Sequence, residues 1–549
     1  MLMPIKKLLF LALSLGQFTS TLQALEIHEA ARAGDLAKVK AIVEKEPGLV
    51  GAKDETGRTP LHWACRGVHV EVVKYLVERG ADVNALDRSS IAPLHSIASR
   101  GHLEAAKILI GAGARLDAKT VDQSTPLHMA AAQGHLDLAA FLFEKGAPVN
   151  IQDGSDDTPL HAAAWADQWE VLERLVDALP AGQAAVLKAL DFDGNTVLHL
   201  AARAGRVETL RLLVAKGAGL DARNTLGQTA FNLAEEGGYD AAAAFLAKKG
   251  ANRSPAKFPA LSGPYMGQTP PGAVPKLFAK GIVSRRNGMY GTITFSPDGR
   301  EAFWKPEPPY KEAAMKIENG LWGPPRSIPF TAADSIDVPF FSADGRRLYF
   351  MTGSRNAQGI VEKEAIWLVE KGDGGWAEPR PFDPVVNSVA MHWQFSMDKR
   401  GDVYLSADGG IRCARFESGR YLAPELLPEP IRVEHSAEEK YRAGELGPFI
   451  SPEGDYLIYT RMRAGSPLPS QLLISFKGKD GSWSEPRNLS EKLKTQGSDS
   501  MARVTPDGRY LFFQSNRSDS GISRGLYWVD AAVIEELRPA ASNPSSSVF

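Results

Sequence analysis

The chain has 549 residues, 44% hydrophobic and 23% charged, with 51 Gly and 36 Pro, an ordinary globular composition that excludes collagen and a wholly disordered chain. It is too long for one hydrophobic core, so several units are expected unless repeats extend them. Sixty-three basic and 65 acidic side chains leave a net charge of −2, which gives no global field for phosphate backbones or anionic lipid and argues against nucleic acid as a partner.

At the N-terminus, Lys6 and Lys7 precede the apolar run from Leu8 to Leu15, and a polar stretch leads to Leu22-Gln23-Ala24. This is the charged, apolar and cleavable layout of a signal peptide, expected over residues 1–24. The apolar run is too short to cross a hydrocarbon layer of about 30 Å, and no later segment is long and apolar enough to do so. No cysteine lies near the expected cleavage point. The expectation is an exported protein without a stable membrane anchor, best suited to a bacterial periplasm. Cys65 and Cys413 are the two cysteines; they fall in different expected domains, so no disulfide is expected.

Self-similarity then dominates the chain. Thr59-Pro60-Leu61-His62 recurs as Ala92-Pro93-Leu94-His95, Thr125-Pro126-Leu127-His128, Thr158-Pro159-Leu160-His161, Thr196-Val197-Leu198-His199 and, degenerate, Thr229-Ala230-Phe231-Asn232. The anchors are spaced 33, 33, 33, 38 and 33 residues apart. Threonine suits a helix N-cap, proline the first helical turn, and leucine the stacked face, while each histidine can bond neighbouring backbone. A second helix follows each motif and ends at a glycine such as Gly80, Gly113, Gly146 or Gly217. The pattern resembles the ankyrin repeat over about residues 25–252. It implies an all-α solenoid of about seven units across 25–253, opened by a capping unit around Ile27 to Gly34. The five extra residues before Thr196 are expected in a protruding loop near Leu179 to Gln183. Val68 and Asp167 stand where the family has glycine.

The recurring histidines do not suit a metal, because successive repeats lie about 10 Å apart while zinc gathers its ligands within about 2.1 Å. Binding is expected instead at the variable positions that ankyrin proteins turn toward their concave side. By that resemblance these are Trp63, Arg66, Ser96, Arg100, Met129, Gln133, Trp165, Leu200 and Arg203, with an acidic fringe from Asp54, Asp122, Asp156 and Asp193. Exposed Trp and Arg are the residue types enriched in interface hot spots. The partner implied is a protein.

Residues 254–275 hold six prolines and are expected as an extended spacer. Beyond them a second repeat is marked by Phe295-Ser296-Pro297-Asp298-Gly299, Phe341-Ser342-Ala343-Asp344-Gly345, Phe395-Ser396-Met397-Asp398, Ile450-Ser451-Pro452-Glu453-Gly454 and Val504-Thr505-Pro506-Asp507-Gly508. Each copy lies between two apolar strand signals and reads as a hairpin corner. A later element, as in Gly320-Leu321-Trp322, marks the turn into an outer strand. The copies resemble TolB-like and WD-like propeller repeats. They imply an all-β propeller over 276–538, of five blades or six, with a disordered tail at 539–549. The last copy lacks an outer strand, which Pro275 to Val283 could supply and so close the ring.

Gly521-Ile522-Ser523-Arg524-Gly525 has the spacing of a nucleophile elbow, but no histidine follows residue 435 to complete a triad. No catalytic residue, metal site or cofactor is assigned. Just ahead of the five hairpin copies stand Tyr290, Asp337, His392, Glu445 and Asp499. Gathered at one channel mouth they could hold a cation or do acid–base work; otherwise they are polar residues facing channel water. The reading is a non-catalytic binding scaffold, with a propeller-borne hydrolase or lyase acting on polysaccharide or peptide as the alternative.

Overall fold

The structure is a computed structural model that describes residues 25–180, 183–286, 291–305, 314–330, 337–355, 361–407, 410–431, 444–462, 470–495, 497–516 and 524–539. Side chains at 353–355, 361–363, 392–393 and 444–445 lie outside that description. The chain forms two compact units, Met1–Lys257 and Phe258–Phe549.

The first unit is a stack of helix pairs. Helical residues 25–33 and Leu36–Lys45 open it. Pro60–Gly67 with Val70–Glu78, Pro93–Ala98 with Leu103–Gly111, and Pro126–Ala132 with Leu136–Glu144 follow. Pro159–Trp165 with Trp169–Asp177, Val197–Arg203 with Val207–Ala215, and Ala230–Glu236 with Asp240–Lys248 complete it. No pair has enough apolar surface for a core of its own. Leu61, Leu94, Leu127, Leu160 and Leu198 are therefore buried in one continuous core running from Ile27 to Ala251.

The motif histidines join the units. The Thr59 N–H donates to Nδ1 of His62 at 3.1 Å, and Nε2–H of His62 donates to the Ile91 carbonyl in the next unit at 3.0 Å. The same pair of bonds ties His95 to Ala118, His128 to Asp157, His161 to Asn195 and His199 to Gln228, at 2.9–3.3 Å. In the degenerate copy Asn232 does both jobs: Oδ1 accepts from Thr229 at 3.0 Å and Nδ2 donates to Ser254 at 3.1 Å. Because Nδ1 accepts, each ring is neutral with its proton on Nε2. Val68 and Asp167 keep the glycine-type turn, both with φ of 60°. The five-residue insertion differs from the loop expected there. Ala184–Lys188 form a 3₁₀ turn that buries Val186 and Leu187, while residues 181–182 lie outside the described residues.

The second unit is a five-blade propeller. Its inner strands are Thr294–Phe295, Asp337–Phe341, Met391–Met397, Gly444–Ile450 and Asp499–Val504. Each begins a blade of antiparallel strands, and one pairing, Met391 with Glu364, links blades two and three. The hairpin motif closes each inner strand onto the next. Ser296 Oγ accepts the Glu301 N–H at 2.9 Å, Ser342 Oγ that of Arg347 at 3.0 Å, and Thr505 Oγ1 that of Tyr510 at 3.1 Å. Gly299, Gly345, Gly454 and Gly508 take the left-handed turn position at φ 67–74°. Five hydroxyl-bearing corners thus mark five blades.

Closure of the ring follows the sequence expectation. Lys276–Leu277 pairs antiparallel with Gly525–Asp530, so the N-terminal segment supplies the outer strand of the last blade. Phe278 beside it is fully buried, with ring centroids 4.9 Å from Phe512 and 5.2 Å from Trp528. Much of the segment read as a spacer also belongs to this unit. Leu261–Ser262 pairs with Leu321–Trp322, the Trp322 indole donates to the Gly263 carbonyl at 2.9 Å, and Tyr265 packs 5.1 Å from Phe295 and 5.0 Å from Tyr510. Proline content prevented helix there, but aromatic burial fixes the chain. Cys65 and Cys413 are buried free thiols, one in each unit.

Candidate functional site

In the helical unit, acidic residues of the turns between units hold two tryptophans of the first helices in place. Asp54 Oδ1 accepts the Thr56 N–H at 2.8 Å, the Thr56 hydroxyl at 2.7 Å and the Arg58 N–H at 2.9 Å, and Oδ2 accepts the Trp63 indole N–H at 2.8 Å. Burial works to raise this carboxyl, but those bonds outweigh it and hold the pKa at about 2. The half-buried Trp63 ring lies under two guanidinium groups, Arg58 at 5.3 Å and Arg66 at 5.8 Å. Trp165 is held from the following unit instead: its indole donates to Asp191 at 3.1 Å and Arg203 lies 5.3 Å from its ring. Here deeper burial wins, and the Asp191 carboxyl is raised.

Of the other row residues, Arg66, Arg100 and Gln133 are exposed, and Ser96, Met129 and Arg203 are half-buried. Leu200 is 4% exposed and packs in the core, so it offers no binding surface. Asp193 is also buried, so the acidic fringe loses that member, while Asp122 is exposed.

In the propeller, Asp337 and Asp499 open the inner strands of blades two and five, and His392 and Glu445 are the second residues of those of blades three and four. Asp337 is ion-paired to Lys305 at 2.5 Å. Asp499 is fully buried, accepting from Ser515 Oγ at 2.6 Å and from the Thr495 hydroxyl. Tyr290 and the side chains of His392 and Glu445 lie outside the described residues.

The opposite ends of the inner strands enclose a cavity of about 620 Å³, walled by hairpin corners from all five blades, among them Pro297, Asp344, Arg400, Pro452 and Pro506. The acids of these corners serve the turns. Asp344 accepts the Arg346 N–H at 3.0 Å, Asp398 takes Arg400 through Oδ2 at 2.7 Å, and Asp507 accepts the Arg509 N–H at 3.1 Å. An aromatic chain forms one wall: Phe340 to Tyr349 at 6.4 Å, Tyr349 to Phe382 and Phe382 to Tyr421 at 5.4 Å each, and Tyr421 to Phe416 at 4.9 Å.

Arg503 reaches this cavity from the last inner strand, and sequence reasoning did not select it. It is 4% exposed, its Nη1 donates to the Pro339 carbonyl at 2.5 Å, and its guanidinium lies 5.1 Å from the Phe340 ring. Burial alone lowers its pKa to about 9. The available signal was one register position. Immediately before each hairpin copy stand Thr294, Phe340, Gln394, Phe449 and Arg503, and only one is a charge in an apolar strand.

Comparison with known proteins defines the first unit. Residues 26–87, 94–185 and 160–255 match the family described as ankyrin repeats (3 copies), and residues 68–110 match ankyrin repeats (many copies). The N-terminal region is an ankyrin-repeat array, joined to a five-blade propeller. Among similar proteins, the human DNA-binding protein RFXANK is 42% identical over 67 residues, 12% of this chain and 26% of that protein. Palmitoyltransferase akr1 of Schizosaccharomyces pombe is 46% identical over 57 residues, 10% of this chain and 9% of that protein. Mouse ankyrin repeat domain-containing protein 40 is 41% identical over 56 residues, 10% of this chain and 15% of that protein. The chain spans about a quarter or less of the length of each of these relatives.

Proposed function

We propose that this is a non-catalytic binding scaffold whose ankyrin row holds a protein partner and whose propeller holds a second, smaller ligand. Ankyrin repeats imply protein–protein interaction, and the propeller supports a scaffold role. One observation carries the partner reading: Trp63 and Trp165 are half-exposed yet fixed by indole hydrogen bonds and arginine stacking. Rings held in one rotamer lose little entropy on contact, which favours their use as anchors. The row of Trp63, Arg66, Arg100, Met129, Gln133, Trp165 and Arg203 contains three arginines and no carboxylate, so a protein surface that carries acidic residues complements it.

Crosslinking of the whole protein in an envelope extract, compared with a variant carrying Trp63→Ala and Trp165→Ala, tests this reading. The expected result is one dominant crosslinked protein that the double variant loses. Equal capture by both would remove the row from the interface. The proposed export rests on the layout of residues 1–24. It predicts a mature N-terminus near Leu25, and mass spectrometry of the purified protein showing residues 1–24 retained would refute it.

A further inference from the structure

Blade three carries a small hairpin at the rim of the cavity. Phe416–Glu417 pairs antiparallel with Arg420–Tyr421, and Ser418 and Gly419, with φ of 50° and 81°, make the tight turn between them. The Phe416 N–H donates to Asp402 Oδ1 at 2.9 Å, which ties the hairpin to the corner of its own blade. Phe416, 41% exposed, and the half-buried Tyr421 and Phe382 thereby join the cavity lining as rings that a ligand can reach, with centroids 4.9 and 5.4 Å apart in turn. The lining also holds three exposed cations, each already paired: Arg347 with Glu370 at 3.2 Å, Arg400 with Asp398 at 2.7 Å and Asp402 at 3.1 Å, and Lys399 with Glu453. The fourth cation of the lining, Arg503, is 4% exposed and stacked on Phe340, behind the reachable surface.

The geometry points to an uncharged oligosaccharide as the ligand of this cavity. Charge complementarity sets the first limit. An anion would have to take Arg347, Lys399 or Arg400 from the carboxylates that hold them, and a free cation would meet all three. A neutral ligand meets neither obstacle. Ion pairs set next to one another offer donors and acceptors side by side, which suits hydroxyl groups because each both donates and accepts. The aromatic rings suit the other half of a sugar, the C–H face of a pyranose. A flat apolar ligand would use the rings and leave the polar groups of the lining unmatched. A peptide would need backbone partners as well, but the N–H groups of Gly345, Gly401 and Gly454 at the cavity corners bond within their own turns. The volume of about 620 Å³ suits a short oligosaccharide. The inference rests on reading the propeller as the domain for a smaller ligand and is independent of the ankyrin row, so the crosslinking result above stands whichever way it falls.

Calorimetric titration of the full chain with chitotriose, cellotriose and maltotriose tests the assignment, with trigalacturonate as a charged trisaccharide and decaproline as a peptide for comparison. At least one neutral trisaccharide is expected to bind with submillimolar affinity, more tightly than trigalacturonate or decaproline. Phe416→Ala is expected to weaken that binding by about tenfold, the scale of one lost ring contact, and Phe416→Trp to retain it. Phe416 stands at the exposed rim, so both variants are expected to fold. Saturation-transfer NMR should show the pyranose C–H protons, rather than a reducing end alone, in contact with the protein. Absence of binding by all three neutral sugars at millimolar concentration, tighter binding of trigalacturonate, or equal sugar affinity in the wild type and Phe416→Ala would overturn the proposal. Tighter binding of decaproline that Phe416→Ala removes would also overturn it, while leaving the propeller a ligand-binding domain.

Discussion

The histidines of the ankyrin stack accept a backbone N–H at one nitrogen and donate to the next unit from the other, an arrangement open only to the neutral ring. Burial accordingly lowers the pKa of His62, His95 and His128, and takes that of His199 to about 4. The unfolded chain then binds more protons below the ordinary histidine pKa of about 6.5, so stability is full above that pH and falls as pH drops toward the folded values. Each unit of depression is worth about 1.4 kcal/mol per histidine. Urea midpoints of the helical transition are expected to drop steeply between about pH 7 and about pH 5; a flat profile would mean that the ladder does not select the neutral ring. Val68 illustrates the opposite case, a residue poorly suited to its place. A β-branched side chain at φ 60° and ψ 38° is strained, and Val68→Gly is expected to stabilise by about 1 kcal/mol, read as a raised denaturant midpoint.

Elements in the propeller depend on partners far away in sequence. Lys276–Leu277 completes a blade begun by Asp499–Val504, and Phe278 seals the junction against Phe512 and Trp528. Phe278→Ala is expected to cost about 3–5 kcal/mol, measured as an earlier propeller transition in thermal unfolding. Tyr265 makes the same point for residues 261–267. A true spacer would tolerate Tyr265→Ala, but its ring contacts with Phe295 and Tyr510 predict a loss of about 3 kcal/mol by the same measurement. The prolines of this segment were legible as a helix stop, and the stop is real. Its strand pairing with Leu321–Trp322 was not, because a two-residue strand has no periodicity of its own and forms only where another edge awaits it.

At the scale of the molecule, the apolar core of the first unit ends at Ala251 and the clusters of the second begin with propeller residues, so each unit closes a core of its own. Differential scanning calorimetry is expected to show two transitions, with acidification shifting the ankyrin one and Phe278→Ala the other. A single transition moved equally by both would contradict this.

The repeat periods, the capping threonines and histidines, the hairpin corners and the closing strand could all be read from the order of residues, because each is a local backbone requirement met by local chemistry. Burial was different. Leu200 entered the core, Asp193 left the surface and Arg503 came to lie buried at the wall of the propeller cavity against the Pro339 carbonyl and the Phe340 ring, since these outcomes depend on which other units or blades converge at a point. Periodicity is a property of the chain alone, whereas the electrostatic environment of a side chain is a sum over neighbours that only the folded molecule brings together.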